Sequence, residues 1–226
     1  MLLAIDTSTQ VAGVALWQAE TVFAELTWHA GQNHTAELIP NIQLLLDIGR
    51  ISLEALTGLA VAKGPGSFNG VRVGISAAKG LALARELPLV GISTLEVQAY
   101  PYAPCRYPVV PVLPAGRGEY AVAKYQTWRG AWRCVVKEQI VDFAGLCDLI
   151  GRRALVTGEI APELADRLRK AVAAKALIAR PSAALRRPGA LAELAAQRLR
   201  RGEVDDVSSL QPIYLRRPPI TRRKAS

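Results

Sequence analysis

Apolar and polar positions alternate in a way that divides the chain into short strands and a few helices. LLAI at the start reads as a buried strand, DTST as a polar turn and VAGVALW as a second strand, so Met1 to Trp17 forms a hairpin. A third strand is expected at Thr21 to Thr27, then a loop from His29 to Asn33. HTAELIPNIQLLLDIG follows, with Leu38, Ile42, Leu45 and Leu46 at helical spacing. Asn33 or Thr35 is placed to cap this helix. Pro40 falls past the first turn if Asn33 is the cap, which should bend the helix or delay its start. Leu59 to Ala62 is a short buried strand, and KGPGSFNG, Lys63 to Gly70, is a turn with three glycines and a proline. A helix is expected from about Val71 to Leu87, stopped by Pro88, before a strand at Leu89 to Ile92.

That helix is poor in bulk: Gly74, Ser76, Ala77, Ala78, Gly80, Ala82 and Ala84 are all small. Each interior glycine costs about 1 kcal/mol relative to alanine. Two readings account for it: tight packing on its own sheet, or close approach by another helix. The loop before it is not a Walker loop, since no GK[ST] follows, and it serves either as an anion cradle at a helix start or as a shape element presenting Ser67, Phe68 and Asn69.

Tyr100 to Pro108, YPYAPCRYP, has three prolines and no periodicity, and reads as a linker. Beyond it the order begins again, with strands at Val109 to Leu113, Glu119 to Trp128 and Trp132 to Val141. A helix at 142–152, a strand at Ala154 to Thr157 and a helix at Pro162 to Ala173 follow. Ala183 to Arg201 reads as a long alanine-rich helix broken or delayed near Pro188, and Val204 to Leu215 as a returning segment before a tail, PPITRRKAS, expected to be disordered. The order βββαβα thus occurs twice. A duplicated βββαβα unit in two lobes is the α/β topology of the actin-like, sugar-kinase and Hsp70-ATPase (ASKHA) folds. The expected division is residues 1–103 for the first lobe, carrying the small-residue helix, and 104–226 for a smaller second lobe whose terminal helix packs back on the first.

Composition narrows the chemistry. Half of the 226 residues are hydrophobic, enough for a core. No apolar run reaches the roughly 20 residues that span a bilayer. MLLAIDTST lacks a basic leader, and Cys105, Cys134 and Cys147 are an odd set without CxxC spacing, so a reducing cytoplasm is expected and no membrane partner. The net charge of +9 gathers late, at Arg186, Arg187, Arg198, Arg200, Arg201, Arg216, Arg217, Arg222, Arg223 and Lys224. Such a stripe either holds RNA by counterion release or solubilises the surface. His29 and His34 stand five apart with no third ligand, so neither a metal site nor a metallopeptidase is expected. Asp6, with Thr7 and Ser8 (and Thr9), sits where the fold places its first phosphate loop. It reads either as a magnesium–nucleotide site, which would make the chain an actin-like ATPase or kinase, or as a turn using Asp and Thr for local bonds.

LAIDTSTQVAGVAL, HTAELIPNI, KGPGSFNGVRVGISAAKGLALARELPLVGISTLEV and QPIYLR together resemble the TsaB (YeaZ) family. The resemblance is strongest from residue 2 to about 98 and returns at Gly118 to Tyr120, Gly158 and Tyr214 to Arg216. It implies a subunit without a working ATP site, metal or cofactor. Such a subunit binds the transferase TsaD, and the pair recruits the ATPase TsaE. TsaD adds the threonylcarbamoyl group to the adenosine beside the anticodon of tRNA. It also implies that helices of the first lobe form the contact with TsaD, or with a second copy when TsaD is absent. The positions this marks are His34, Glu37, Leu38, Asn41, Ile42 and Leu45 on one helix, and Arg72, Gly74, Ala77, Ala78, Gly80, Leu81 and Ala84 on the other. The chain departs from the family at PVLPAGRGEY, where Pro114 takes an aspartate position and Gly116 an arginine position, and at Asn69, usually threonine.

Overall fold

The computed structural model describes residues 1–216. The expected tail and Arg217, Arg222, Arg223 and Lys224 lie outside the described residues. The first sheet holds β1 (Leu2–Asp6), β2 (Val11–Gln18), β3 (Thr21–His29), β4 (Gly58–Ala62) and β5 (Leu89–Ile92), in the order β3-β2-β1-β4-β5. β1 pairs antiparallel with β2 and parallel with β4. The central strands β1 and β4 are buried at every position, which is why they read as unbroken apolar runs. Helices α1 (His34–Gly49) and α2 (Phe68–Arg85) cover one face, with Leu38, Ile42, Leu45, Val71, Ile75 and Ala78 packed on Leu3, Ile5, Leu59 and Val61.

The second sheet repeats this arrangement. β6 (Val109–Pro114), β7 (Tyr120–Trp128), β8 (Ala131–Val141), β9 (Ala154–Gly158) and β10 (Ala176–Ile178) run in the order β10-β9-β6-β7-β8, the mirror listing of the first. Between the sheets, α3 (Thr94–Ala99) sets Leu95 and Ala99 against Val109, Leu113, Ala123 and Tyr125. On the outer side, α4 (Phe143–Ile150) and α5 (Pro162–Val172) bury Leu146, Ile150, Leu164 and Leu168 against Val110, Val112 and Val156. A short α6 (Pro181–Ala184) leads to α7 (Pro188–Arg200), which returns to the first sheet and covers its second face with Leu191, Ala192, Leu194 and Ala195. The duplicated actin-like α/β fold is therefore present in both halves.

Several boundaries move for identifiable reasons. α2 starts at Phe68 because the Ser67 side chain accepts from Gly70 N, so the last residues of KGPGSFNG are already helical. α1 starts at once at His34 and runs through Pro40. Pro40 and Ala36 are both exposed, so the carbonyl that loses its helical partner faces water. α7 starts only at Pro188, whose ring suits a first helical turn, so the long helix expected from Ala183 is two pieces. α3 and β10 were not expected from the pattern; six and three residues are too short to show a period. Past α7 the chain joins the first sheet by a single bridge, Leu89 to Asp205.

Candidate functional site

Two features of the first lobe bear on function: the turn after β1, and the outer face of α1 and α2. Asp6, Thr7, Ser8 and Thr9 are all buried. Asp6 Oδ1 accepts from Ser8 N at 2.9 Å and from Ser8 Oγ at 2.5 Å. Asp6 Oδ2 accepts from Arg186 Nε at 2.5 Å, and Arg186 Nη2 also donates to Thr9 Oγ1 and to the Val11 carbonyl, each at 3.1 Å. Arg186 is only 5% exposed. It does not belong to a basic surface; it is the buried counter-cation of Asp6. With the Ser8 donors on Oδ1 and the guanidinium on Oδ2, both oxygens of the Asp6 carboxylate are engaged within the chain. The remaining groups of the turn are engaged as well: Thr7 Oγ1 donates to Gly70 O at 2.7 Å, and Ser8 O accepts from Ser67 N at 2.7 Å.

This turn explains the glycines of the loop and of the helix start. A Cβ on Gly66 would lie 2.0 Å from Ser8 O, one on Gly70 2.3 Å from Thr7 O, and one on Gly74 2.4 Å from Thr7 Oγ1. The start of α2 is pressed onto DTST so closely that no side chain fits between. α1 is tied to the same turn by His34, whose Nε2 lies 2.7 Å from Thr9 O. KGPGSFNG therefore acts as a shape element here. Gly80 is different: a Cβ there meets nothing within 4 Å.

The structure divides the marked helix residues into two sets. His34, Leu38, Ile42, Leu45, Gly74 and Ala78 are buried in the protein's own core. Glu37, Asn41, Ala77 and Leu81 are half-buried, and Arg72, Gly80 and Ala84 are exposed. Glu37 accepts from Trp28 Nε1 at 2.9 Å, and the Arg72 guanidinium lies 4.7 Å from the centre of the Phe68 ring. On α1 the residues left outward at one helical spacing are Glu37, Asn41, Leu44 and Ile48, and on α2 Val73, Ala77, Gly80 and Ala84. Leu44, Ile48, Ile39 and Leu83 are large, apolar and exposed, Leu83 to 71%. These four were not marked from the sequence. A second apolar register offset from Leu38, Ile42 and Leu45 would have shown Leu44 and Ile48.

Against this geometry, comparison with known proteins is decisive. Over 218 residues, 95% of this chain and 93% of the relative, the sequence is 32% identical to the tRNA threonylcarbamoyladenosine biosynthesis protein TsaB of Bacillus subtilis. The chain belongs to the TsaB/YeaZ family. The TsaB of Escherichia coli is 46% identical over 98 residues, 43% of this chain and 42% of that protein. The solved structure of YeaZ from Pseudomonas aeruginosa superposes with a TM-score of 0.79 at 25% identity, covering 95% of this chain and 99% of that one. The family model for TsaD, tRNA N6-adenosine threonylcarbamoyltransferase, matches residues 28–224. This chain is thus similar in sequence both to TsaB proteins and to the TsaD family model.

The structure shows what secures the β6–β7 turn, where a departure from the family was expected. Pro114 ends β6, and Gly116, Arg117 and Gly118 all have positive φ, between 56° and 75°. Arg216, in the QPIYLR segment, donates to Ala115 O at 3.2 Å and pairs with Glu119. The turn, Phe68, Tyr214 and Ile213 line a mostly apolar cleft of about 660 Å3 between the lobes. Phe68 stacks on Tyr214 with ring centres 5.3 Å apart.

Three more of the late arginines are paired: Arg187 with Glu25, Arg198 with Glu203 and Asp205, and Arg200 with Glu20. Of the expected basic stripe, Arg186, Arg187, Arg198, Arg200 and Arg216 are paired with the chain's own acids, Arg201 has no acid within ion-pair distance among the described residues, and the others lie outside the described residues. Elsewhere Glu96 on α3 is held above the ordinary carboxylate range by burial, and by the Glu138 charge facing it. Among the described residues no three His, Cys, Asp or Glu side chains are grouped to hold a metal, and no helix is long and apolar enough to cross a membrane.

Proposed function

We propose that this chain is a non-catalytic subunit of threonylcarbamoyladenosine synthesis on tRNA. In this reading it binds a TsaD-type transferase through the outer face of α1 and α2, stabilises its active conformation, and works with a TsaE-type ATPase in the cytoplasm. Alone, it pairs with a second copy through the same face. Residues 1–103 and 104–226 are the two lobes. The observation that carries the reading is the pair of outward stripes, Glu37–Asn41–Leu44–Ile48 and Val73–Ala77–Gly80–Ala84, whose later members Leu44, Ile48, Gly80 and Ala84 are exposed, on a chain alike from end to end with a TsaB. Small residues let a partner helix come close, and each large apolar side chain buried there contributes roughly 1.5–3 kcal/mol. Binding that favours one conformation of the partner is sufficient for activation.

Gly80→Arg is the test. Its side chain has open space, so the variant folds with a melting temperature no lower than that of the unsubstituted chain, while calorimetric affinity for the TsaD-type protein of the same organism falls by about tenfold or more. Unchanged affinity would remove α2 from the contact. Gly74 is unsuitable, because any side chain there strikes Thr7 inside the molecule.

The competing reading, an ATPase or kinase using Asp6 and magnesium, draws on the position of Asp6 after β1. The Arg186 guanidinium on that carboxylate argues against it. Titrating the isolated protein with ATP and magnesium should give no heat of binding; micromolar binding lost in Asp6→Ala would reverse the ranking.

A further inference from the structure

Among the described residues, one group of arginines without ion-pair partners gathers where β6 and β9 begin. Tyr107 is on the segment entering β6, and Arg153 immediately precedes β9. The two segments are joined by Leu155 N donating to Pro108 O at 2.8 Å. The Arg106 guanidinium lies 4.8 Å from the Tyr107 ring centre and the Arg153 guanidinium 4.7 Å. Two cations from distant parts of the sequence thus share one aromatic ring. Arg152 is beside them, and Arg106, Arg152 and Arg153 are all exposed. Lys124 strengthens the same field: its Nζ donates to Leu149 O at the end of α4, and would lie 3.9 Å from a Cβ at Gly151.

Among the described residues, none of these three arginines has a carboxylate within ion-pair distance, and residues 217–226 contain no Asp or Glu. The contrast with Arg186, Arg187, Arg198, Arg200 and Arg216, each given its own acid, is sharp. Like charges held on one ring repel, and an anion placed between them relieves that repulsion. Guanidinium planes stacked on an aromatic ring offer both ionic contact to phosphates and a flat surface to bases.

We propose that the Arg106–Tyr107–Arg153 corner, with Arg152, contacts the phosphate backbone of RNA. On the function proposed above, on which this deepening rests, that RNA is the tRNA to be modified. The corner positions the RNA and takes no part in chemistry.

The test is fluorescence anisotropy with unmodified tRNA and the full chain over a range of salt. Arg106→Glu with Arg153→Glu is compared with Arg129→Glu with Arg133→Glu, an equal change of charge at two exposed arginines on the β7–β8 hairpin. Residues 217–226 are identical in both, so any contribution from them cancels. The expected result is an affinity loss of about tenfold or more for the first pair and less than about twofold for the second. The log–log salt slope should shrink by about one to two for the first pair alone. Equal losses in the two pairs would mean attraction by net charge, and no loss would mean no contact; either overturns the proposal. So does loss of TsaD-type binding with RNA affinity intact, which would assign the corner to an acidic protein surface. The Gly80→Arg measurement contains no RNA, so its failure bears on the docking face alone.

Discussion

At the scale of single residues, the turn after β1 is a structural joint. Asp6, expected either to hold a magnesium–nucleotide site or to close a turn, has as its partners Ser8 and Arg186, both from this chain. Burial makes the pair all-or-none: removing one partner leaves an uncompensated charge. Arg186→Met should therefore cost about 3–5 kcal/mol in urea-induced unfolding, at the upper end of single substitutions. A loss under about 1 kcal/mol would mean that water reaches the carboxylate and that Arg186 is dispensable. Asp6 stood out in the sequence because it follows the first strand, where the fold places its first phosphate loop; its partner, 180 positions later, did not. Arg186 looked like one more member of a basic stripe, since charge pairing over such a distance leaves no local pattern.

At the scale of elements, α2 carries two kinds of glycine that look alike in the sequence. Gly74 faces inward and touches Thr7, whereas Gly80 faces outward and touches nothing. The sequence leaves two readings open for both, packing within the molecule or room for a partner helix, and Gly74 packs within the molecule. The sign of a small substitution separates them. Gly74→Ala forces a methyl to 2.4 Å from Thr7 Oγ1 and should destabilise by about 1–3 kcal/mol. Gly80→Ala adds a methyl in open space within a helix and should stabilise by about 0.5–1 kcal/mol. Chemical denaturation of the two variants decides it, and equal effects would mean that the helix does not sit on the turn as described. The inward face of α1 was legible from Leu38, Ile42 and Leu45, because core packing repeats every three to four residues. The outward Leu44 and Ile48 were masked by that stronger register, and α3, at six residues, has too few positions to show a period at all.

At the scale of the whole molecule, the duplication was legible because each half repeats the same strand and helix order, and the sheets indeed have matching strand orders. What the order could not show is how far the halves depend on each other. α7 comes from the end of the chain, yet Leu191, Leu194 and Ala195 cover the face of the first sheet formed by Leu2, Ala4, Ala60 and Val90. α3 comes from the first half, yet Leu95 and Ala99 fill the core of the second sheet. Gln98 on α3 donates both to Thr157 in β9 and to the Ala184 carbonyl, linking the exchanged pieces. Neither sheet has both faces covered by its own half. Residues 1–103 alone would expose the whole α7 face and leave Asp6 without Arg186, so that fragment should be insoluble or bind hydrophobic dyes. For the same reason the intact chain should melt in one calorimetric transition whose van't Hoff and calorimetric enthalpies agree. Two separated transitions would mean that the lobes are energetically independent, and that α3 and α7 rest on each other's sheets without holding them together.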